Sequence, residues 1–358
     1  MACRCNPLHC AVPPHILTNV ARQGNDRQRD WALRSLAADA TVRQARVQNM
    51  AVRAGGPREG ADALAATFHP ARANRIISDA RHGYDVAEAR VVRREGGDPV
   101  DDPAADEAYD GLGDTFRFFQ ERFRRDSIDD EGMPLRGVVH FGEDHDNAYW
   151  DGRRMVFGDG DGELFKRFTL SLDVIGHELG HGVIEDEAGL EYFRQAGALN
   201  EHWADVSGSL VKQFKLGQTA DEADWLIGAE ILGPEVQGVA LRSMKAPGTA
   251  YDDPVLGKDP QPDHWDRYVR TFEDFGGVHI NSGIPNHAFY RLATSLGGNA
   301  WGRAGRIWYE SLRHPRLRPT ATFRQFAAIT HRLAAQWYGD QVADEVEAAW
   351  DAVGIAWE

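Results

Sequence analysis

The sequence predicts an α+β protein in which a mixed first part is followed by a mainly helical second part. Short apolar runs typical of strands fall between residues 75 and 157, where an Asp151-Gly152 pair predicts a hairpin. After residue 170 the apolar residues recur at helical spacing almost to the end of the chain. A length of 358 residues is enough for one two-lobed unit or two ordinary domains with a large core.

The N-terminal region is predicted to be helical around a proline-rich start. Residues 12–17 contain Pro13-Pro14 and are predicted to be extended, because a residue before proline avoids the helical region. Apolar residues at helical spacing predict a helix from about 26 to 53, with Asn25 or Asp26 as its cap. Residues 55–70 resemble a linker open to proteolysis.

The remaining elements follow from periodicity and turn residues. Before residue 170 we expect strands at 75–78, 88–92 and 137–141, a helix at 104–125, a hairpin over 147–157 and a glycine-rich turn at 158–162. After it we expect helices at 171–186, 198–215, 222–232, 281–296, 301–313, 321–337 and 340–353.

Charge is distributed unevenly along the chain. The formal net charge is -15 and the mean hydropathy is -0.49, and no apolar run approaches the ~20 residues of a membrane helix. Residues 1–60 nevertheless carry nine Arg and no Lys against four acidic residues. We therefore expect this basic segment to dock on the acidic body. Nucleic-acid binding by the segment is a weaker alternative, since the body would repel phosphate, and we expect neither a nucleic acid nor a membrane as partner.

The N-terminal residues also indicate where the protein is made. They have no apolar core of a secretory signal, so we expect cytoplasmic synthesis, with any secretion by a non-classical route.

The motif that carries chemistry is His177-Glu178-Leu179-Gly180-His181. A helix places His177 and His181 on one face about one turn apart, as two zinc ligands require. Glu178 lies beside them and can accept a proton from a water molecule that the metal activates. Because the motif fixes only three positions, a surface helix with two histidines is an alternative until a third ligand is found.

Glu201 is the candidate third ligand, since it opens the next predicted helix twenty residues after His181. Two His and one Glu leave a fourth position open, as a catalytic zinc site requires. Asp205 lies four residues later on the same face and is suited to orient a ligating histidine. His202 is a competing ligand, although it projects about 100° away from Glu201.

Taken together, these residues resemble the thermolysin family of zinc metalloproteases, and within it the protealysin-like subgroup with a short N-terminal propeptide. The resemblance covers residues 12–355. It rests on seven blocks of residues, which are Pro13-Pro14-His15-Ile16-Leu17, Asn147-Ala148-Tyr149-Trp150, 158–162, 177–181, 197–205, Leu241-Arg242-Ser243-Met244 and 276–283. It implies a two-lobed fold with the zinc helix at the bottom of the cleft.

The resemblance also implies the roles of individual residues. His177, His181 and Glu201 would bind one zinc ion and Glu178 would be the general base. His279, oriented by Asp274, and Tyr192 would stabilise the oxyanion of the tetrahedral intermediate. Asn147, the Ala148 backbone and Arg242 would bind an extended peptide. The S1′ pocket, which would favour cleavage on the amino side of a large apolar residue, would be lined by Phe165, Phe168, Val174, Ile227, Ile231 and Leu241.

The same resemblance implies a self-processing zymogen. Residues 1–65 would form the propeptide, 66–205 an α+β catalytic lobe and 206–358 a helical lobe. Peptide or protein substrates, the propeptide itself and a proteinaceous inhibitor are the implied partners. Two alternatives are a zinc protein that binds peptides without cleaving them and a nucleic-acid binder with a basic arm.

The three cysteines, Cys3, Cys5 and Cys10, all lie in the first ten residues. They are interpreted either as part of a flexible terminus or as metal ligands. In the second case one thiolate would cap the catalytic zinc, or the cluster would bind a metal of its own with His9 and His15.

The chain departs from the family at the positions that match its double calcium site. These positions hold Asp173, Lys212, Asp224, Leu226 and Ala229, so an ammonium replaces a shared carboxylate. We expect no calcium there, because hard cations need several oxygen ligands, and we expect Lys212 to pair with Asp173 or Asp224. Two further departures are Gly180, where Thr is usual, and His15, where Tyr is usual, so that docking of the propeptide is expected to differ.

Overall fold

The structure is a computed structural model, and it describes residues 9–39 and 72–356. None of the helices in these ranges is long and apolar enough to cross a membrane. The predicted α+β class is confirmed: the first lobe contains a sheet and the second is helical.

A six-stranded sheet forms the first lobe. Its strands are β1 (His9–Cys10), β2 (Arg75–Asp79), β3 (Arg90–Arg94), β4 (Leu135–Val139), β5 (Ala148–Trp150) and β6 (Met155–Phe157), in the order β1-β5-β6-β4-β2-β3. Strands β2, β4 and β6 run parallel to one another, whereas β3 is antiparallel to β2, β5 is antiparallel to β6 and β1 is antiparallel to β5. The predicted strands and hairpin are therefore present, with shifts of one or two residues at some ends.

Helix α3 (Pro103–Phe123) packs against this sheet. Asp102 caps it by accepting hydrogen bonds from the backbone N–H groups of Ala104 and Ala105, and Pro103 occupies the first turn, where no N–H is needed. The phenylalanines Phe116, Phe118, Phe119 and Phe123 of α3 are buried.

Seven helices follow in the rest of the described chain. They are α4 (Leu172–Glu187), α5 (Arg194–Leu216), α6 (Asp274–Asn281), α7 (Gly283–Leu296), α8 (Arg303–Leu312), α9 (Phe323–Tyr338) and α10 (Asp340–Asp351). Two small hairpins pair β7 (Leu226–Ile227) with β8 (Arg242–Ser243) and β9 (Asp252–Asp253) with β10 (Gly257–Lys258).

Helices α4 and α5 pack closely along their length. All residues of α4 from Asp173 to Ile184 are buried. A Cβ at Gly180 would lie 2.9 Å from the Ser207 Cβ, and one at Gly208 would lie 2.2 Å from the Asp173 carbonyl oxygen. Glycine at 180, one of the departures from the family, thus fits the close approach of α5.

Two predicted elements are wrong. Residues 12–17 are not extended throughout, because α1 (Pro14–Gln23) begins at Pro14. Proline is tolerated at the first helical position, because an N–H there would have no partner within the helix. Only the chain up to Pro13 is therefore kept out of the helical region. The N-terminal region continues as α2 over residues 26–39, capped as predicted by the Asn25 side chain.

Residues 222–232 are turns and strand β7 instead of a helix. Trp225 and Gly228 both have positive φ, 58° and 72°. The Gly228 N–H donates to the Asp173 carboxylate, and the Leu226 carbonyl oxygen faces Lys212. These tertiary contacts replace the hydrogen bonds of a local helix. The predicted helix at 281–296 instead begins at Gly283, after α6.

Candidate active site

Helices α4 and α5 bring His177, His181 and Glu201 together in the buried centre of the molecule. The two histidine Nε2 atoms are 3.1 Å apart, and carboxylate oxygens of Glu201 lie 3.5 Å and 3.6 Å from them. Ligands at about 2.0–2.1 Å from a tetrahedral zinc would be roughly 3.3–3.4 Å from one another. The donor types and spacings therefore fit a zinc ion, as the sequence predicted.

Carboxylate and amide oxygens hold the other nitrogen of each histidine. The Nδ1 atom of His177 lies 2.8 Å from Asp205 Oδ1, and that of His181 lies 2.8 Å from Asn200 Oδ1. Both partners favour the tautomer that leaves Nε2 to bind a metal. Asp205 has the predicted position, whereas Asn200 was missed, although its place directly before Glu201 on α5 could have indicated it.

Asp205 is fully buried and shared among three partners. Arg242 donates to both of its oxygens over 2.9–3.1 Å, and the Asn286 amide donates to Oδ2 over 2.8 Å. Burial opposes ionisation of Asp205, but Arg242 and His177 hold the pKa of this carboxyl below its usual value. Asp205 is thus a stable anion that links His177 to Arg242.

His202, the competing ligand, lies outside this cluster. Its Nδ1 atom faces Asn286 Oδ1 at 2.8 Å and its Nε2 accepts a hydrogen bond from the Trp308 indole. Burial lowers the pKa of His202 to about 4, so the imidazole is neutral. The structure therefore favours Glu201 as the third donor.

Glu178 is buried beside the three donors. One oxygen of its carboxylate accepts a hydrogen bond from the backbone N–H of Trp150 on β5, over 3.0 Å. This bond joins helix α4, which carries His177 and His181, to the sheet and orients the carboxylate. The contribution of Trp150 comes from its backbone, which the residue type could not reveal.

His279 on α6 and Tyr192, which lies between α4 and α5, face the same centre. The Tyr192 hydroxyl donates to Glu201 and lies 3.1 Å from His279 Nε2. His279 Nδ1 lies 2.5 Å from Asp274 Oδ1, and its backbone N–H donates to the other oxygen of that carboxylate. All the residues that sequence analysis placed around the reacting carbonyl are therefore close together.

A left-handed stretch of backbone makes the Asp274 contact possible. Asp274 and Phe275 have φ values of 49° and 51°, and Gly276 and Gly277 have values of 89° and 76°. The chain thereby turns back so that the Asp274 side chain reaches both the ring and the backbone of His279. Burial alone would lower the pKa of His279, but Glu201 and Asp274 raise it above its usual value.

The N-terminal segment pairs with β5 as the edge strand of the sheet, next to this site. Cys10 pairs with Tyr149, and the Ala11 N–H donates to the Ala148 carbonyl over 3.0 Å. The Val12 N–H donates to Asn147 Oδ1 over 2.9 Å, and Arg242 donates to the Ala11 carbonyl over 3.3 Å. The residues predicted to bind an extended peptide thus bind one from this same chain.

Further contacts hold helices α1 and α2 over the body. The Asn147 amide donates to Asp39, and the Ser35 hydroxyl accepts from the Asp146 N–H. Arg27 forms an ion pair with Glu163, and Arg34 lies 3.8 Å from Glu143. Docking of the basic segment on acidic residues is confirmed for these helices.

The cysteine prediction is only partly covered by the described residues. Cys3, Cys5 and the side chain of His9 lie outside them. Cys10 is buried, and its thiol donates to the Val12 carbonyl over 3.4 Å. It does not belong to the group formed by His177, His181 and Glu201, whose donor atoms lie within 4.8 Å of one another.

The predicted S1′ residues are all buried in the main core. They lie around the zinc helix and the β7–β8 hairpin, and comprise Phe165, Phe168, Val174, Ile227, Ile231 and Leu241. The rings of Phe165 and Phe168 pack with their centroids 6.1 Å apart.

Lys212 occupies the centre of the positions that match the family's calcium site. Its Nζ lies 2.9 Å from Asp173 Oδ2, 3.0 Å from Asp224 Oδ2 and 3.6 Å from Glu230 Oε1. The predicted pairing is therefore confirmed for both Asp173 and Asp224. Burial opposes the charge of Lys212, but these carboxylates raise its pKa above the usual value, so the ammonium persists.

Comparison with known proteins agrees with this geometry. Residues 69–185 match the family model described as the thermolysin metallopeptidase catalytic domain, and residues 188–355 match the model of its alpha-helical domain. This chain belongs to the thermolysin metallopeptidase family. It is a metalloprotease, and the His177, His181 and Glu201 set is the zinc site of this family of zinc enzymes.

Individual relatives share most of the length of this thermolysin-family chain. An "Extracellular metalloprotease" of Pectobacterium carotovorum subsp. carotovorum is 50% identical over 98% of this chain and 97% of its own. "Protease PrtS" of Photorhabdus sp. (strain Az29) is 45% identical over 96% and 91%. The solved precursor of protealysin from Serratia proteamaculans covers 97% of this chain and 100% of its own, with 48% identity and a TM-score of 0.87. The expected protealysin-like subgroup is thereby confirmed.

Proposed function

We propose that this protein is a zinc endopeptidase that uses Glu178 as its general base and is made as a self-processing precursor. The observation that carries the proposal is the convergence of His177, His181, Glu201, Glu178 and the Tyr192–His279 pair on one buried centre. When bound, zinc would polarise the peptide carbonyl and lower the pKa of water.

Glu178 moves the proton in this mechanism. Its carboxylate is held beside the three metal donors by the Trp150 N–H. It accepts a proton from the attacking water and returns it to the amine that leaves, as a single acid–base group. Burial of the site removes competing solvent and strengthens these electrostatic effects.

Tyr192 and His279 stabilise the oxyanion that forms on the peptide carbonyl. Burial and the nearby Glu201 raise the pKa of Tyr192, so its hydroxyl remains a donor. Asp274 holds Nδ1 of His279 and directs Nε2 at the same centre. The two groups can therefore both donate to one developing charge.

Substitution of Glu178 by Gln tests catalysis. We expect turnover of a fluorogenic peptide to be lost, because Gln keeps the size and the Trp150 bond but cannot accept the proton. The zinc content should stay at that of the unchanged enzyme. Glu185→Gln, on the same helix but outside the site, is the control and should keep full turnover. Equal turnover by the two variants would rule out this mechanism.

We propose that an extended substrate binds antiparallel to β5 and that a large apolar residue enters the S1′ pocket. The Asn147, Ala148 and Arg242 contacts support this binding mode, since they hold backbone groups of residues 11 and 12. A peptide library that varies the residue after the scissile bond should give higher kcat/KM for Leu and Phe than for Asp and Gly. Equal rates for all four would contradict the pocket assignment.

We further propose that residues 1–65 are a propeptide removed by self-cleavage, leaving catalytic lobes at 66–205 and 206–358. Occupation of the substrate-binding edge by residues 10–12 supports this. Intact mass followed over time should show a new N-terminus near residues 55–70. A zinc chelator or Glu178→Gln should prevent its appearance. Processing that continues in both conditions would show that another protease is responsible.

Export from the cell is also proposed, on the ground that a relative is named an extracellular metalloprotease. Fractionation of a producing culture should place the mature form in the medium. Retention of all forms in the cells would contradict export.

A further inference from the structure

A second group of potential metal ligands lies away from the active site, in the first lobe. His82, His140 and Asp159 have donor atoms within 4.8 Å of one another, and they and the active-site triad are the groups of this kind in the described ranges. We refer to His82, His140 and Asp159 as the sheet-edge cluster. The proposed peptidase mechanism makes no use of it.

The topology of the sheet brings these three residues together. Strands β2, β4 and β6 are neighbours and run parallel, and His82, His140 and Asp159 follow their carboxyl ends. This edge of a parallel arrangement is where ligands bind in many α/β proteins. The loops are tied by backbone hydrogen bonds from the His82 N–H to the His140 carbonyl and from the Phe141 N–H to the Phe157 carbonyl.

The spacing of the donors resembles that of the zinc site. His140 Nδ1 lies 2.9 Å from Asp159 Oδ2, and His82 Nδ1 lies 3.6 Å from the same oxygen. These distances bracket the roughly 3.3–3.4 Å expected between ligands of a tetrahedral zinc. The corresponding distances at the active site range from 3.1 to 3.6 Å.

Asp102 holds the far nitrogen of His140. The His140 Nε2 atom lies 2.9 Å from Asp102 Oδ2, while the other oxygen of Asp102 caps helix α3. This repeats the arrangement of His177 and Asp205, in which a carboxylate fixes the tautomer and leaves the opposite nitrogen for a metal. His82 Nδ1 also lies 3.3 Å from the Gly142 carbonyl. The His82 side chain is 59% exposed to solvent, so the ring can carry its proton on Nε2 and leave Nδ1 for a metal.

Charge balance also favours a dication. Asp102 and Asp159 carry two negative charges, while the nearby Arg167 is held by both oxygens of Glu107.

We propose that the sheet-edge cluster is a second binding site for a transition-metal dication of the zinc class. Two imidazoles and one carboxylate suit zinc, cobalt or nickel, whereas calcium and magnesium prefer oxygen ligands. With three protein ligands and partial exposure, the remaining coordination positions are open to water.

Zinc titration of the full-length chain tests the proposal. All proteins carry Glu178→Gln so that none is consumed during equilibrium dialysis against increasing free zinc, and bound zinc is measured by mass spectrometry. We expect two zinc ions per chain at saturation. The His82→Gln and Asp159→Asn variants should each bind one. His331→Gln, a partly exposed histidine on α9, is the matched control and should bind two.

Thermal unfolding provides the second measurement. The second zinc ion should raise the unfolding temperature of the control, and this rise should be absent in His82→Gln, which loses little packing because His82 is exposed. A single zinc ion per chain in the control would overturn the proposal. So would a second ion that both cluster variants retain, since it would then bind elsewhere, for example at the N-terminal cysteines.

Discussion

The buried carboxylate of Asp205 contacts both a metal-binding histidine and the arginine that holds the peptide backbone. It lies 2.8 Å from His177 Nδ1 and accepts hydrogen bonds from Arg242 and Asn286. Arg242 in turn donates to the carbonyl of the bound N-terminal segment. A change at Asp205 should therefore affect zinc affinity and peptide binding in the same variant.

Asp205→Asn is expected to lower zinc affinity by about 10–100-fold, because Asn neither accepts as strongly from His177 nor balances Arg242. Competition with a chromophoric chelator measures this affinity. Asp344→Asn, an exposed site on α10, is the control. Unchanged zinc affinity in Asp205→Asn would show that His177 does not depend on this carboxylate.

His279→Ala should lower kcat by roughly 10²–10³-fold with little change in KM, since one oxyanion donor is worth about 2.7–4 kcal/mol. Steady-state kinetics on the processed enzyme measure both constants, and zinc content checks that the site is intact. A large rise in KM at constant kcat would instead place His279 in ground-state binding.

At the scale of elements, Lys212 connects helices α4 and α5 to the segment around β7. Asp173 is fully buried, and it accepts hydrogen bonds from Lys212, Ser171 and the Gly228 N–H. These contacts hold residues 224–230 against α4, where a helix was predicted from the sequence. The ammonium thus determines local backbone structure as well as charge balance.

Lys212→Met should destabilise the protein by about 3–5 kcal/mol, because it leaves the Asp173 carboxylate buried without its cation. Urea unfolding measures the change. Lys215→Met on the same helix is a matched control: Lys215 is 45% exposed and pairs with Asp114, so its loss should cost at most about 1 kcal/mol. Similar losses in the two variants would argue against a special role for Lys212.

The contact of α1 with the second lobe should depend on pH through His15. Its Nε2 atom lies 3.1 Å from the Tyr251 hydroxyl, and burial lowers its pKa from 6.5 to about 4. Nearby, Asp274 favours the protonated form while His279 and Arg242 oppose it. The released segment therefore takes up a proton more readily than the docked one.

Docking should accordingly be strongest above pH 6.5 and weaken as pH falls through 4, by up to roughly 300-fold. Hydrogen exchange of residues 10–20 in the full-length Glu178→Gln chain, corrected for its intrinsic pH dependence, measures this. His15→Tyr, which carries no titrating group in this range, should show a flatter response. The same pH dependence in both proteins would exclude His15 as the cause.

At the scale of the whole molecule, the Lys212 ion pairs lie at positions that the family resemblance assigns to a double calcium site. We predict that calcium does not stabilise this protein, because an ammonium already neutralises the carboxylates there. The unfolding temperature, measured with zinc held at saturation, should be unchanged by millimolar calcium. A rise of several degrees, or calcium retained after gel filtration, would contradict the prediction.

The sequence by itself predicted the order of elements and most of the catalytic set. The four-residue spacing of His177 and His181 fixes their common direction on a helix, whatever surrounds it. Glu201 and Asp205 are also four residues apart, so a helix places them on one face as well. The resemblance to a family then assigned His279, Tyr192 and Arg242, which lie far apart in sequence, and the structure brings them together.

Only the tertiary structure decided what depends on distant partners. Residues 222–232 have apolar spacing that suits a helix, but Asp173 and Lys212 capture their backbone groups. The sheet-edge cluster was missed because its three residues follow three separate strands, so their spacing in sequence carries no periodic signal. Short-range backbone preferences predict a helix and the direction of its side chains. Hydrogen bonds and charges between distant segments determine where those preferences are overridden.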